Sequence, residues 1–276
     1  MRVNWGAGLH AADGRRVDES AYGQYIGRWS KLFVPAVLTA AEVGKCDRVL
    51  DVATGTGEAA AAALSAVGDA GVVVGADISS AMLAAASTRL PSESFLPVAT
   101  DGQALPFPGA SFDAVLCQLG LMFFPSPARG LAEFRRVLRP GRRAAVCVIS
   151  SPDRAPMWGI LAEILCRYLP DQIQKLHLSF ALGDAARLEQ MFIDVGFRDV
   201  RDVRVDRETR EGIVGSFDEY WAPIEAGTGQ MPQAYLALPE PSRRAVRTDV
   251  RERLSQFESN GRYAMSAEML IGTGCA

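Results

Sequence analysis

Short apolar runs alternate with helical patterns between residues 48 and 149. Five of these runs are rich in β-branched or other apolar residues and are bounded by turn-forming residues, which is typical of β-strands. Few polar residues interrupt them, as expected for parallel strands that helices cover on both faces. The predicted strands are Arg48–Val52, Val72–Asp77, Phe95–Ala99, Ala114–Gln118 and Ala144–Ile149.

Three segments between these strands have the composition and boundary residues of helices. They are the alanine-rich Gly57–Val67, then Ser79–Leu90, and finally Ala128–Leu138, which Pro140 and Gly141 follow. This alternation of strands and helices predicts βαβ units and an α/β fold around a parallel sheet.

Three segments lie outside the alternation: residues 1–40, 151–183 and 215–260. In the first, apolar residues recur at helical spacing and predict an amphipathic helix over Tyr22–Phe33. Val246, Val250, Leu254 and Phe257 form a second stripe of this kind. Core packing is the simpler interpretation of both stripes, and contact with a ligand is the alternative. In Arg198–Glu211, five arginines alternate with five acids, which indicates a solvated edge strand.

Composition excludes several classes of protein. The 276 residues are 49% hydrophobic and 22% charged, which is ordinary for a globular chain. The formal net charge of -3 provides no positive field to hold a polyanion, so we expect no nucleic-acid partner. The five cysteines form no CxxC pair and accompany only two histidines, so neither a metal site nor a disulfide framework is expected. No apolar run approaches the length of a membrane span, and we expect a reduced, cytoplasmic protein.

A carboxylate and a glycine turn follow the first predicted strand, in Asp51-Val52-Ala53-Thr54-Gly55-Thr56-Gly57. In open α/β sheets, ligands bind at this edge of the strands. The second strand ends in Asp77, twenty residues past Gly57, where a carboxylate is suited to bind the hydroxyls of a ribose. A third acid, Asp101, follows the third strand. Each feature alone is compatible with an ordinary turn, but together they indicate a ligand that contains adenosine.

Two ligands of this kind fit, a nicotinamide or flavin dinucleotide and S-adenosylmethionine. A pyrophosphate is bound by helix N-terminal N–H groups without a nearby acid. Asp51 stands at the mouth of the glycine turn, where it would repel a pyrophosphate and attract an ammonium or sulfonium. The acids therefore favour S-adenosylmethionine.

The motifs resemble those of class I S-adenosylmethionine-dependent methyltransferases, close to the ubiquinone/menaquinone biosynthesis branch. VLDVATGTGEAA resembles the family's glycine motif, and GADISSAMLAAA resembles its ribose-binding acid with the following helix. ATDGQALPFPGASFDAVLCQLGLMFFPSP resembles the adenine region and fourth strand, and LAEFRRVLRPGRRAAVCVIS the next helix and fifth strand. The resemblance extends from about Tyr22 to Ser150. It implies a sixth strand at Phe197–Asp206 and an antiparallel seventh at Met265–Thr273.

The resemblance also implies a set of cofactor-binding residues. Asp51 would orient the methionine amino end, Asp77 would bind the ribose, and Asp101 would read the adenine edge. The complete set is Tyr25, Trp29, Asp51, Ala53, Thr54, Gly55, Gly57, Asp77, Ile78, Met82, Asp101, Gly102 and Gln118. Ala53-Thr54 departs from the commoner glycine and small residue of the motif, but both essential glycines remain.

The expected architecture is a Rossmann-like, seven-stranded, mostly parallel sheet with helices on both faces, an antiparallel last strand and helical cap insertions. One methyltransferase domain would span residues 1–276, with a lid at 1–40 and substrate caps at 151–183 and 215–260. We expect S-adenosylmethionine as cofactor and in-line transfer to oxygen, nitrogen or carbon of a small, partly apolar acceptor. His177 is the candidate base, with His10 as a second histidine. A non-catalytic S-adenosylmethionine-binding protein and a Rossmann NAD(P)-dependent oxidoreductase are the alternatives.

Overall fold

The computed structural model describes residues 19–91, 93–197 and 203–276. Strands and helices alternate through its middle part, and helices dominate the two insertions. The strands are β1 Arg48–Val52, β2 Val72–Asp77, β3 Phe95–Ala99, β4 Phe112–Gln118, β5 Leu138–Ile149, β6 Arg204–Val214, β7 Glu258–Ser259 and β8 Arg262–Cys275.

Eleven α-helices occur in the described ranges, and a five-residue π-helix, Gly23–Gly27, lies between the first two. The α-helices are α1 Glu19–Tyr22, α2 Arg28–Ala40, α3 Glu58–Val67, α4 Ser80–Arg89, α5 Pro127–Val137, α6 Pro156–Tyr168, α7 Ile173–Leu176, α8 Ala185–Asp194, α9 Phe217–Glu225, α10 Gln230–Leu236 and α11 Glu240–Leu254.

The strands form one mixed sheet in the order β3-β2-β1-β4-β5-β8-β6, and the short β7 pairs with β8. The pairs β3/β2, β2/β1, β1/β4 and β4/β5 are parallel. Strand β8 runs antiparallel to β5, with Ile149 opposite Met269 and Arg143 opposite Cys275. The predicted α/β fold, mostly parallel with an antiparallel late strand, is confirmed.

The first three strands have the bounds predicted from the sequence, and β4 and β5 begin earlier than predicted. The predicted sixth strand at Phe197–Asp206 is wrong in position, because β6 runs over Arg204–Val214. Phe197 is a buried anchor: a Cβ on Gly274 would lie 2.8 Å from its ring carbons, so glycine makes room for it. As predicted for an edge strand, β6 stands at one end of the sheet order and is largely solvated.

The chain divides into two compact units. The sheet unit contains residues 30–149, 181–208 and 269–276. Its core is formed by the apolar strands and by the inward faces of their helices, with Leu50, Phe95, Leu116 and Phe134 fully buried. Burial of such side chains contributes about 1.5–3 kcal/mol each, which is why these elements form together.

The cap unit contains the described residues up to Trp29 together with 150–180 and 209–268. Its core is aromatic: Trp158 and Trp221 are each 1% exposed. The ring of Trp221 stacks on Phe217 at a centroid distance of 5.5 Å and meets Tyr235 edge-on at 5.2 Å. Three of the four residues of the second predicted stripe are core, because Val246, Val250 and Leu254 of α11 are fully buried. The fourth, Phe257, lies beyond the end of α11 and is half-buried.

Candidate functional site

Three acids lie at or just beyond the carboxyl ends of three neighbouring parallel strands in the sheet unit. Asp51 lies in β1 next to its end, Asp77 is the last residue of β2, and Asp101 stands two residues beyond β3. Because β1 pairs with β2 and β2 with β3 in parallel, the carboxyl ends of all three strands lie along one edge. The structure therefore brings these predicted residues to the same edge of the sheet.

Asp51 is completely buried and only partly hydrogen-bonded. The Thr54 hydroxyl donates to Asp51 Oδ2 at 2.7 Å, whereas no donor among the described residues reaches Oδ1. Burial raises the pKa of Asp51 to about 7; the hydrogen bond from Thr54 lowers it, the negative charge of Asp77 raises it, and the nearby backbone N–H of Ala60 lowers it. A buried carboxylate without a cation is costly, so this side chain is suited to bind a positive group.

The turn after β1 uses the left-handed region of backbone space three times, with φ of 58° at Ala53, 56° at Gly55 and 85° at Gly57. Thr54 N–H donates to the Ala76 carbonyl at 3.1 Å, which fastens the turn to β2. A Cβ on Gly57 would lie 2.9 Å from Leu90 Cδ1, so this glycine also permits close packing. Glycine adopts these angles without a steric cost, whereas Ala53 adopts its angle at the expense of strain.

Asp77 holds two loops through backbone N–H groups. Its Oδ2 accepts from Gly55 N–H at 2.9 Å and its Oδ1 from Ser79 N–H at 2.8 Å. Burial raises the pKa of Asp77, and backbone hydrogen bonds from Ser79, Gly55 and Ile78 oppose that shift. A carboxylate has about four acceptor sites, so Asp77 retains capacity for a hydroxyl of a ligand.

Two apolar residues predicted for the site follow Asp77. Ile78 is 47% exposed, which is high for isoleucine, while Met82 is 4% exposed in α4. The Ser79 hydroxyl caps α4 by accepting from Met82 N–H at 3.3 Å. An exposed isoleucine beside an acid provides an apolar surface on which a planar ring can lie.

The loop after β3 is held by a residue that the sequence did not single out, Gln103. Asp101 Oδ1 accepts from the backbone N–H of Gln103 at 2.8 Å and from its Nε2 at 3.2 Å. Gln103 Oε1 in turn accepts from Ser126 N–H at 2.8 Å. Gly102 is tightly enclosed, because a Cβ there would lie 2.5 Å from the Phe124 ring and 2.8 Å from Val52 Cγ1. The Asx-turn spacing of Asp101 and Gln103 was the signal available in the sequence.

Gln118 ends β4 and is buried. Its Nε2 donates to the Ser30 carbonyl at 3.3 Å, and no described donor reaches its Oε1. Cys117, the residue before it, is fully buried, and burial with the nearby charge of Asp51 raises the pKa of its thiol. Gln118 is thus tied to α2 through its amide nitrogen.

The remaining predicted residues lie in the cap unit or outside the described residues. Tyr25 and Trp29 are buried in the cap unit, where Trp29 meets Trp158 at a ring distance of 6.1 Å. His177 is half-buried at the end of α7, with its ring 6.2 Å from that of Phe180. His10 lies outside the described residues. The assignment of Tyr25 and Trp29 to the cofactor and of His177 to proton transfer stays a prediction.

The hydrogen-bond acceptors and the apolar surface of the sheet unit fit an adenosine ligand that carries a positive charge. Asp51 offers a buried oxygen with no donor, Asp77 offers free acceptor sites, and Ile78 offers an apolar face. Within the described residues, no group of three histidines, cysteines or acids could hold a metal ion. No helix among them is long and apolar enough to cross a membrane.

Comparisons with known proteins extend this description. A family model described as a methyltransferase domain matches residues 50–146. The demethylmenaquinone methyltransferase of Renibacterium salmoninarum is 37% identical over 185 residues, which are 63% of this chain and 74% of that enzyme. The ubiquinone/menaquinone biosynthesis C-methyltransferase UbiE of Erwinia tasmaniensis is 34% identical over 176 residues, or 56% of this chain and 68% of that enzyme.

Solved structures share the fold. The YcgJ protein of Bacillus subtilis matches with a TM-score of 0.58 at 17% identity, over 88% of this chain and 98% of that one. At this identity the likeness bears on the fold alone.

Proposed function

The chain belongs to the class I S-adenosylmethionine-dependent methyltransferases of the ubiquinone/menaquinone biosynthesis branch, and from this premise we propose that it methylates a small, partly apolar acceptor. The observation that carries the proposal is that Asp51, Asp77 and Asp101 lie at the carboxyl ends of β1, β2 and β3. One buried oxygen of Asp51 has no hydrogen-bond donor among the described residues. S-adenosylmethionine, when bound, supplies an activated methyl group on a sulfonium.

Each acid has a distinct task in this proposal. Asp51 accepts from the ammonium of the methionine part, and Thr54 keeps its other oxygen in place. Asp77 accepts from the ribose hydroxyls while its bonds to Gly55 and Ser79 fix the two loops. Asp101, held by Gln103, accepts from the adenine amino group. Ile78 and Met82 pack on the adenine face, and Gly55, Gly57 and Gly102 allow the backbone to approach.

The acceptor is proposed to be an oxygenated ring of the quinol class, methylated at carbon. The two relatives described above are named as a demethylmenaquinone methyltransferase and a C-methyltransferase, which supports this choice. The cap segments 151–183 and 215–260 are proposed to bind it, since they supply many of the large aromatic side chains of the cap unit. Apolar walls with a few polar groups are typical of sites for small molecules.

Positioning is proposed to supply most of the rate. Holding two reactants in a reactive geometry can contribute about 7–11 kcal/mol. Removal of a proton by a protein base contributes about 10²–10⁴-fold where it is needed. The proposal requires no metal and no covalent intermediate with the protein.

The test is transfer of labelled methyl from S-adenosylmethionine to a panel of quinols, phenols, amines and enolisable acids. We expect product with a quinol, and its loss in Asp51→Asn under conditions in which the variant remains folded. Binding of S-adenosylmethionine without transfer to any acceptor would favour a non-catalytic binding protein. Binding of NAD instead, measured by calorimetry, would favour an oxidoreductase. Salt-sensitive binding of a random oligonucleotide would contradict a small-molecule acceptor.

A further inference from the structure

Four side-chain polar atoms of the cap unit are buried without hydrogen-bond partners among the described residues: Tyr25 Oη, Trp158 Nε1, Thr228 Oγ1 and Arg243 Nε. Two of them, the hydroxyl of Tyr25 and the indole N–H of Trp158, are donors on aromatic side chains. Tyr25 is 5% exposed and Trp158 is 1% exposed. A buried polar group without a partner costs about 1–3 kcal/mol, so two in one core call for an explanation.

The two donors belong to one aromatic cluster. Trp29, one helical turn after Tyr25, meets the Trp158 ring edge-on at 6.1 Å. Tyr220 approaches Tyr25 closely enough to affect its ionisation, and its own hydroxyl donates to the carbonyl of Met157, the neighbour of Trp158. Tyr25 and Trp158 are therefore linked through shared neighbours on both sides.

The backbone around Tyr25 is specialised and firmly held. Tyr25 is the central residue of the π-helix Gly23–Gly27, a rare conformation that occurs often at functional sites. Arg28 forms an ion pair with Glu219, and Gly212 leaves space for Trp29, since a Cβ there would lie 2.3 Å from the indole ring. These contacts hold the residues that follow Tyr25, whereas the Tyr25 hydroxyl has no partner among the described residues.

We propose that Tyr25 Oη and Trp158 Nε1 donate hydrogen bonds to oxygen atoms of the methyl acceptor, a ring that carries carbonyl, enolate or phenolate oxygens. This inference rests on the proposed function. An indole N–H can only donate, so the group that completes this pair must be an acceptor. The aromatic surroundings suit a flat, apolar ring, and burial raises the pKa of Tyr25, which keeps its hydroxyl protonated as a donor.

Tyr25→Phe and Tyr220→Phe form a matched pair of variants. Each removes one buried hydroxyl, but that of Tyr25 has no protein partner and that of Tyr220 has one. Under anaerobic conditions and with S-adenosylhomocysteine present, calorimetry measures the Kd of 1,4-dihydroxynaphthalene for each protein. We expect an increase of about tenfold for Tyr25→Phe and no change for Tyr220→Phe, in line with the loss of one hydrogen bond to the ligand.

The same variants report on stability and on the cofactor. Tyr25→Phe should keep or raise the Tm, whereas Tyr220→Phe should lower it. The Kd of S-adenosylmethionine, measured for both variants, separates the acceptor role of the Tyr25 hydroxyl from the cofactor role that the sequence predicts for this residue. Trp158→Phe, where it folds, should also weaken the ring compound. Unchanged binding of the ring compound to Tyr25→Phe, or a loss confined to S-adenosylmethionine, would overturn the inference, as would wild-type protein that binds S-adenosylmethionine but not the ring compound. Failure of wild type to bind S-adenosylmethionine would instead count against the proposed function.

Discussion

Ala53 and Gly120 occupy adjoining turns, and only one of the two residues can carry a Cβ. Ala53 stands after β1 with a φ of 58°, and a Cβ built on Gly120 would lie 2.4 Å from the Cβ of Ala53. The methyl group of Ala53 thus fills the space left by the glycine. This pairing explains how the turn tolerates alanine at a position where related motifs more often have glycine.

The contact between Ala53 and Gly120 predicts that one substitution restores stability lost through the other. Gly120→Ala should lower the free energy of unfolding by about 1–3 kcal/mol, because overpacking in a closed site forces the backbone to shift. Ala53→Gly alone should be near neutral, since the relief of left-handed strain is offset by greater freedom of the unfolded chain. The double variant should recover most of the loss in chemical denaturation. Additive effects would contradict the contact.

The turn after β1 and its surroundings show which features of the structure could be predicted from the sequence. The bounds of β1, β2 and β3 were predictable because nearly continuous apolar runs end at acids and glycines. The three acids were predictable for the same reason, since the carboxyl ends of parallel strands share one edge. The contact between Ala53 and Gly120 was not predictable, because these residues are 67 positions apart and meet only when β1 pairs with β4.

Asp51 predicts that cofactor binding depends on pH. Its carboxyl has a pKa of about 7 in the folded chain without ligand, and a bound ammonium favours the ionised form. Below pH 7 binding must therefore release a proton. The affinity for S-adenosylmethionine should fall by up to about tenfold per pH unit below 7 and level off above it. Calorimetry in buffers of different ionisation enthalpy would measure the released proton, and pH-independent binding between pH 5.5 and 7 would contradict the assignment.

The same carboxyl predicts a change in stability without ligand. Between its ordinary pKa of 3.8 and its folded pKa of about 7, the folded chain holds one proton more than the unfolded chain. The contribution of Asp51 to the free energy of unfolding should thus decline as the pH rises through this window. Asp51→Asn removes the titrating group, so its stability relative to wild type should increase from pH 5 to pH 8. An equal difference at both pH values would show that the Asp51 carboxyl does not titrate in this range.

Asp77 predicts a coupled loss of stability and of nucleoside binding. Asp77→Asn leaves only one acceptor oxygen for the N–H groups of Gly55 and Ser79, so one of them loses its partner. The free energy of unfolding should fall by about 1–3 kcal/mol, and the affinity for adenosine should fall by about tenfold or more. Asp101→Asn is the control for stability at the next strand: its oxygen can still accept from Gln103 N–H, so its free energy of unfolding should stay near that of wild type. An Asp77→Asn protein of wild-type stability would contradict the loop-fastening role.

The edge strand and the N-terminal segment show where sequence patterns fail. In β6 charged residues alternate at the rim of the sheet, so its start at Arg204 has no apolar signal, and Phe197 looked like strand although it is a buried anchor. The stripe from Tyr22 to Phe33 predicted a helix correctly, but not the π-helical turn around Tyr25. A π-helix depends on one extra residue accommodated by tertiary packing, which periodicity does not reveal. The unpartnered donors of Tyr25 and Trp158 also result from tertiary packing, so the periodicity of the sequence could not predict them.

His177 predicts a small effect on turnover if positioning supplies most of the rate. The imidazole is half-buried beside Phe180, at the end of the four-residue helix α7. We expect His177→Ala to lower kcat/KM by less than about tenfold, below the 10²–10⁴-fold typical of a general base. The pH profile of kcat/KM should then follow the ionisations of the acceptor and of Asp51 in wild type and variant alike. A loss near a thousandfold, together with the disappearance of one ionisation from the pH profile, would make His177 the base and assign α7 to the acceptor. Asp51 is unchanged in His177→Ala, so only an ionisation that vanishes in this variant belongs to the histidine.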